Sequence, residues 1–142
     1  MSDMVLRVAA KAVIVNDEGK VLIVREATSY SDGTQHGRYG LPGGRLDIGE
    51  RFEDGLRREV LEEVGLKIEA LYPVFVGEWR PNIHGVSHQI IAIFIACRAK
   101  TANVTLSDEH DKAEWINPAD RNKYAIMDPD GEVIDTYATR FA

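Results

Sequence analysis

A segment of regularly spaced glycines and charged side chains, residues 44–66, constrains this sequence more than any other feature. Two glutamates are adjacent at Glu62 and Glu63, and a third, Glu59, directly follows Arg58. A globular surface rarely produces such a pattern by chance. The segment reads Gly44-x5-Glu50-x7-Arg58-Glu59-Val60-x-Glu62-Glu63-x-Gly65-Leu66.

The second half of this segment predicts a helix over Phe52–Val64. This stretch contains no proline, and most of its residues are good helix formers. Gly65 follows at the position where a left-handed residue commonly ends a helix. We expect about three to four turns. The apolar residues then form a stripe that faces the core, made of Phe52, Leu56, Val60 and Val64.

Three glutamates of this helix, Glu59, Glu62 and Glu63, are spaced so that their side chains converge on one face. An acidic helix face is commonly only a solvated surface. Here, however, Glu63 projects into the apolar stripe, and Glu59 lies at its edge. Carboxylates grouped beside a core repel one another unless a cation lies among them. We therefore predict a site for Mg²⁺, or for Mn²⁺, with waters and substrate phosphates as further ligands.

Arg58 and Glu62 form an i, i+4 pair that has two interpretations. As an exposed pair it supports the helix by about 0.2–0.5 kcal/mol and has no other role. As part of a site, the arginine holds the neighbouring carboxylates in place. The spacing alone leaves both interpretations open.

The residues before the helix predict a tight turn at Pro42-Gly43-Gly44. Glycines also allow the backbone to approach a metal ion or a phosphate closely. Arg45 directly follows this turn, so it is the strongest of three arginines predicted to bind phosphate. The other two are Arg25 and Arg38.

Residues 44–66 resemble the signature of the Nudix hydrolases, enzymes that cut nucleoside diphosphates linked to another group, and match every fixed position. The resemblance implies an α/β (α+β) fold, a Nudix-type α/β/α sandwich with a mixed β-sheet. Many members carry tryptophan where this chain has Tyr39, a departure that leaves the assignment intact because tyrosine can also pack there.

The same resemblance implies roles for individual residues. It assigns the metal to the three glutamates of the helix and to a backbone carbonyl near Gly44. In such enzymes the arginine that matches Arg58 orients the catalytic glutamates. Glu50 is then expected to support this network rather than to bind the metal first.

A polar cluster at residues 106–111 offers candidates for the general base. Segments of this composition are commonly exposed turns. Many Nudix enzymes, however, draw their base from a loop after the signature, which favours Glu109. His110 competes because the pKa of histidine suits proton transfer near neutral pH. Glu59 is the third candidate for the general base. If Glu59 has this role, the loop that contains Glu109 and His110 has only a structural one.

Other aromatic and basic residues are weaker candidates for the substrate site. Trp79 and Arg80 end a predicted strand and could stack on a base or contact phosphate, although Trp79 fits core packing equally well. His84 and His88 have no partner pair at metal-binding spacing, so we interpret both as surface residues.

Composition limits the classes of protein that this chain can represent. Its 142 residues, 44% of them hydrophobic, fit a single domain over residues 1–142. Cys97 is the only cysteine and lies in an apolar run, which predicts a buried thiol and a cytoplasmic location. With 17 Lys and Arg against 23 Asp and Glu, and no long apolar segment, polymeric nucleic acid and membranes are poor partners. A homodimer is possible, since many relatives of this family are dimers.

The remaining pattern predicts strands around the helix, with another helix at the end. Residues 8–16 and 20–26 form a predicted hairpin across residues 17–19, and residues 27–40 form a loop. The predicted later elements are paired strands at 66–79 and 86–98, a turn at Pro81-Asn82, a strand at 113–116, a helix opened by Asn117-Pro118 and a final helix over 130–141.

The expected activity is metal-dependent hydrolysis of a pyrophosphate linkage in a small nucleotide. Pro81 lies 15 residues after Leu66, as in some relatives that cleave ADP-ribose, and therefore favours ADP-ribose or a similar nucleoside diphosphate derivative. The alternative is a house-cleaning enzyme for normal or oxidised nucleoside triphosphates. A non-catalytic nucleotide sensor is a further alternative, although a sensor has no need of the complete set of glutamates.

Overall fold

A mixed β-sheet between two helices forms the fold, and the computed structural model describes residues 3–101 and 103–142. The helices are α1 (Phe52–Val64) and α2 (Asp130–Arg140), with a 3₁₀ helix at Pro118–Lys123. The strands are β1 (Val5–Val15), β2 (Val21–Glu26), β3 (Tyr39–Gly40), β4 (Gly43–Arg45), β5 (Ile68–Trp79), β6 (Asn82–Ile83), β7 (Val86–Ala99) and β8 (His110–Ile116).

The long strand β1 lies at the centre of the sheet. It runs parallel to β7 along its whole length, from the pair Val5↔His88 to the pair Val15↔Arg98. β5 extends the sheet beyond β7, which confirms the predicted pairing, and the two strands are antiparallel. The main strand order is β3-β2-β1-β7-β5, with β4 on β1, β8 on β2 and β6 on β7.

Alternate residues of β1 face two separate hydrophobic layers, as expected when both faces of a strand are covered. Ala9 and Val13 pack in the layer that contains Val133 of α2. Ala10, Ala12 and Ile14 pack in the opposite layer, against Leu56, Val60 and Val64 of α1. The predicted α/β/α sandwich is therefore confirmed.

The predicted hairpin forms at its turn but not along its strands. β1 and β2 share a single pair of residues, Val15↔Val21. Beyond it, β4 takes over the edge of β1 at Ala9–Lys11, and β2 pairs with β8 instead. The two strands diverge because each finds a partner from a distant part of the chain, and β4 brings the glycine turn onto the sheet.

All three predicted helices are present, two of them as α-helices. α1 spans the predicted residues, and Gly65 ends it in the left-handed conformation with φ 70°. α2 ends at Arg140, one residue before the predicted end. Asn117 does open a helix, since its side chain accepts a hydrogen bond from the Ala119 N–H at 3.0 Å, but this helix is of the 3₁₀ type. Within the described ranges, no helix is long and apolar enough to cross a membrane.

Two predictions in the second half of the chain differ from the structure. Asn82 begins the short strand β6 rather than a turn, and the chain reverses at His84 and Gly85, which have φ values of 50° and 80°. The strand predicted at Ala113 begins earlier, at His110, because β8 pairs with β2 back to Glu26.

Candidate active site

A cleft with a volume of about 860 Å³ brings together residues from both sides of the sheet. The glycine turn and strand β4 form one wall, and the segment before α2 forms another. Residues predicted from the sequence that line this cleft are Gly44, Arg45, Glu59, Glu63, Trp79, Arg80, Glu109 and His110.

Glu63 is the most deeply placed of the predicted metal ligands, with only 4% of the residue exposed. Its position in the apolar stripe of α1 causes this burial, as the helical spacing predicts. The Gly43 N–H lies 3.4 Å from Glu63 Oε1. Burial raises the pKa of Glu63 well above its ordinary value, and the negative charges of Glu109 and Glu59 raise it further.

Glu59 lies against the backbone of the glycine turn. A Cβ atom added at Gly44 would lie 2.4 Å from Glu59 Oε2, so only glycine leaves room for this carboxylate. Burial raises the pKa of Glu59, whereas the hydrogen bond from Arg58 opposes that rise. Two half-buried or buried carboxyls close together favour a cation between them.

Arg58 holds several carboxylates at once. Its Nε and Nη2 donate to the two oxygens of Glu50 at 2.6 and 2.9 Å, and its Nη1 donates to Glu59 at 3.0 Å and to Glu62 at 3.2 Å. The hydrogen bonds from Arg58 lower the pKa of Glu50 to about 2. This arrangement exceeds an ordinary i, i+4 pair, because the guanidinium fixes Glu59 from one side and is itself fixed by Glu50.

Glu62 differs from the other two glutamates of α1. Its side chain is 60% exposed and contacts Arg58, and it is not among the residues that line the cleft. A metal ligand at this position would therefore act from the rim of the cleft.

The loop before β8 reaches the buried end of α1. The Ser107 N–H donates to the Glu63 carbonyl at 3.0 Å, and the Thr105 N–H donates to the Val64 carbonyl at 2.9 Å. These bonds satisfy carbonyls at the end of the helix. They also hold the following residues Glu109 and His110 beside Glu63.

Side-chain ligand atoms of Glu63, Glu109 and His110 lie within 4.8 Å of one another. Burial raises the pKa of Glu109, and the charge of Glu59 adds to this effect. In contrast, burial and the positive charge of Lys11 lower the pKa of His110 to about 4. Burial thus disfavours the charged form of the His110 imidazole and favours the protonated form of the Glu109 carboxyl.

Only some of the residues predicted to bind the substrate reach the cleft. Trp79 and Arg80 line it, although Arg80 also pairs with Glu78 at 3.0 Å. Arg25 and Arg38 do not line it. The Nε of Arg25 donates to Asp111 at 2.7 Å, and Arg38 faces solvent just before β3. The structure therefore places neither of these two arginines on the wall of the cleft.

Two buried charged residues of the cleft were missed by sequence analysis. Lys11 on β1 is 8% exposed and Asp130 at the start of α2 is 1% exposed. Their Nζ and Oδ2 atoms lie 2.9 Å apart, and Oδ2 also accepts the Leu41 N–H at 2.8 Å. A single lysine within an apolar strand was the available signal for Lys11. Asp130 gave no signal, because an acid in a first helical turn is common.

The two histidines that we interpreted as surface residues, His84 and His88, differ in their exposure to solvent. His84 is exposed and contacts Asp32 at 2.6 Å. His88 is buried, at 8% exposure, and its ring hydrogen-bonds with the Val86 carbonyl, so its surface assignment is wrong. Tyr39 and Cys97 are both buried, which confirms their predicted packing.

Sequence comparison matches the NUDIX domain to residues 5–137 of the chain. The nucleoside triphosphatase NudI of Escherichia fergusonii is 30% identical over 120 residues, covering 80% of this chain and 84% of NudI. A MutT-like protein of Streptomyces ambofaciens is 29% identical over 111 residues, covering 78% of this chain and 64% of that protein. The chain thus spans less than two thirds of this second relative.

Solved structures share the fold over nearly the whole chain. The MutT protein from Methanosarcina mazei Go1 has a TM-score of 0.79 at 22% identity, covering 97% of this chain and 96% of that protein. An ADP-ribose pyrophosphatase from Streptococcus suis 89-1591 has a TM-score of 0.65 at 21% identity, covering 94% of this chain and 92% of that protein.

Proposed function

This chain belongs to the NUDIX family of pyrophosphohydrolases, and we propose that it hydrolyses a pyrophosphate linkage in a small nucleotide with the help of a divalent cation. One observation carries the proposal. Glu59, Glu63 and Glu109 approach the same cleft from α1 and from the loop before β8, and burial raises the pKa of each. Carboxyls grouped in this way are poorly stabilised until positive charge joins them.

The residues of the cleft fit Mg²⁺ or Mn²⁺ by their chemistry, because these ions prefer oxygen ligands. Glu59, Glu62, Glu63 and the Gly44 carbonyl would hold the ion. When bound, a divalent ion neutralises phosphate charge and lowers the pKa of a water molecule.

The other residues then have separate tasks. Arg58 keeps the Glu59 carboxylate in place through its contact with Glu50. Arg45 and Arg80 line the cleft, and we assign to them the contacts with substrate phosphates. Glu109 is our choice for the general base, because its raised pKa suits the acceptance of a proton from the attacking water. Glu59 is the alternative base.

We propose a nucleoside triphosphate as the first candidate substrate, because the NudI relatives with 30% and 31% identity are nucleoside triphosphatases. ADP-ribose or a similar nucleoside diphosphate derivative is the second candidate, since Pro81 lines the cleft. In both cases water adds to one phosphorus atom, and the bond between that phosphorus and the bridging oxygen breaks.

An activity screen tests the proposal. The purified chain is incubated with Mg²⁺ and, separately, with ribo- and deoxyribonucleoside triphosphates, ADP-ribose, nucleotide sugars and dinucleoside polyphosphates, and products are separated by chromatography. A triphosphate should yield a nucleoside monophosphate and pyrophosphate, whereas ADP-ribose should yield AMP and ribose 5-phosphate. Turnover in ¹⁸O water identifies the attacked phosphorus. Absence of metal-dependent turnover with every compound would contradict the proposal.

A further inference from the structure

The imidazole of His110 points a buried nitrogen at the carboxylate of Glu63. His110 Nδ1 lies 3.8 Å from Glu63 Oε1, and their side chains are only 13% and 6% exposed. A hydrogen bond between these atoms would need a separation of about 2.7–3.2 Å. Two polar atoms thus face each other in a buried place without bonding.

His110 Nδ1 has no hydrogen-bond partner among residues 3–101 and 103–142, although it is shielded from solvent. An unpaired buried polar atom costs about 1–3 kcal/mol. Such an atom in a native structure commonly indicates a missing partner, such as a water or an ion.

The spacing suits two ligands of one metal ion. Donor atoms that each lie about 2.0–2.2 Å from an ion are separated by up to about 4.4 Å. The gap between His110 Nδ1 and Glu63 Oε1 falls within this limit. Glu109 belongs to the same group, with ligand atoms within 4.8 Å. One of its carboxylate oxygens can bind an ion while the other accepts a proton.

We propose that His110 is a nitrogen ligand of a divalent cation that it shares with Glu63. This inference rests on the proposed function, because it refines the metal set of the same cleft. Its consequence is a change in metal preference. An imidazole ligand favours first-row transition metal ions over Mg²⁺, compared with a cluster made only of oxygen donors.

The test uses Mn²⁺ as a paramagnetic probe and does not depend on turnover. Electron spin echo envelope modulation detects nitrogen nuclei bound directly to Mn²⁺. We expect ¹⁴N modulation in the wild-type protein, and its replacement by a ¹⁵N signal when only the histidines carry ¹⁵N. This labelling separates the imidazole from backbone nitrogen and needs no substitution.

A pair of variants identifies the histidine responsible. His110→Asn should abolish the histidine signal. It should also raise the Mn²⁺ dissociation constant by at least about tenfold, because losing a residue that only hydrogen-bonds to a metal ligand already has an effect of this size. His84→Asn is the matched control, because His84 is exposed and does not line the cleft. It should retain the signal and the affinity. Mg²⁺ affinity should fall less than Mn²⁺ affinity in the His110 variant.

The outcomes separate this inference from the proposed function. Tight Mn²⁺ binding without histidine modulation would overturn the role of His110 and leave the function standing. A histidine signal that survives in a folded His110→Asn protein would do the same. Failure of the wild-type chain to bind Mn²⁺ or Mg²⁺ would contradict the proposed function itself, and His110 as a ligand with it.

Discussion

Lys11 Nζ lies 2.9 Å from Asp130 Oδ2, and this buried ion pair joins the central strand β1 to the first turn of α2. The ammonium also lies 5.6 Å from the centre of the Trp79 ring. Burial lowers the pKa of His110 and the positive charge of Lys11 lowers it further, whereas the same charge only partly offsets the rise that burial causes in the pKa of Glu63. Lys11 therefore links the side of the cleft that carries the carboxylates to the side formed by α2.

Asp130→Asn is expected to lower the free energy of unfolding by about 3–5 kcal/mol, because it leaves the Lys11 charge buried without its partner. Asparagine can still accept the hydrogen bond from the Leu41 N–H. The decrease in stability therefore comes mainly from loss of the ion pair. Urea denaturation measures it. The control Asp135→Asn removes an acid from an exposed pair with Arg121 on the same helix, where we expect a loss below about 1 kcal/mol.

A second substitution sharpens this prediction. Adding Lys11→Met to Asp130→Asn removes the unpaired charge, so the double variant should be more stable than Asp130→Asn alone. If the double variant were less stable than the single variant, the buried charge would not be the source of the loss.

Glu63→Gln is expected to reduce turnover by about 10²-fold or more. Mutation of residues that only hydrogen-bond to metal ligands already lowers metal affinity or activity by about 10–100-fold. The metal-free protein should keep its stability, because burial already disfavours the charged form of Glu63. Steady-state kinetics and thermal unfolding measure the two effects. Glu53→Gln is the control on the same helix, where Glu53 forms an exposed pair with Arg57, and near-normal turnover is expected.

Arg58→Lys is expected to lower turnover by about 10–100-fold, because an ammonium cannot reproduce the forked contacts to Glu50 and Glu59. The control Arg57→Lys makes the same chemical change at the preceding residue, which forms an exposed pair with Glu53. Equal kinetics in the two variants would mean that Arg58 does no more than support the helix.

Gly44→Ala should weaken Mn²⁺ binding and turnover with little loss of helix content. The added Cβ would lie 2.4 Å from Glu59 Oε2, so the carboxylate must move away from the turn. Gly44 does not have a positive φ, and its backbone can therefore accept alanine. Calorimetric titration with Mn²⁺ and circular dichroism test the prediction together. Wild-type affinity in this variant would show that Glu59 acts equally well from a displaced position.

Cys97 should resist thiol reagents in the native protein at pH 8. Burial raises the pKa of its thiol to about 12, and the thiolate is the reactive form. Labelling with a disulfide reagent should be slow in buffer and fast in urea, which serves as the control. Rapid labelling of native protein would place the thiol in contact with solvent and contradict its burial.

Features encoded by nearby residues were predictable from the sequence. The bounds of α1, the left-handed Gly65 and the inward position of Glu63 all follow from helical spacing over a few turns. The Lys11–Asp130 pair did not follow, because 119 residues separate its members. Likewise, the turn between β1 and β2 was predicted correctly. The pairing of β1 with β4 was not, because β4 comes from a distant part of the chain.

The division of β1 between two layers gives the chain two largely independent surfaces for mutational change. Ala9 and Lys11, which line the cleft on the α2 side, alternate with Ala10 and Ala12, which support α1. A substitution at Ala9 can change the wall of the cleft, whereas the residues of β1 that pack against α1 lie on the opposite face. One strand can thus keep the packing of α1 unchanged while a residue on its other face varies.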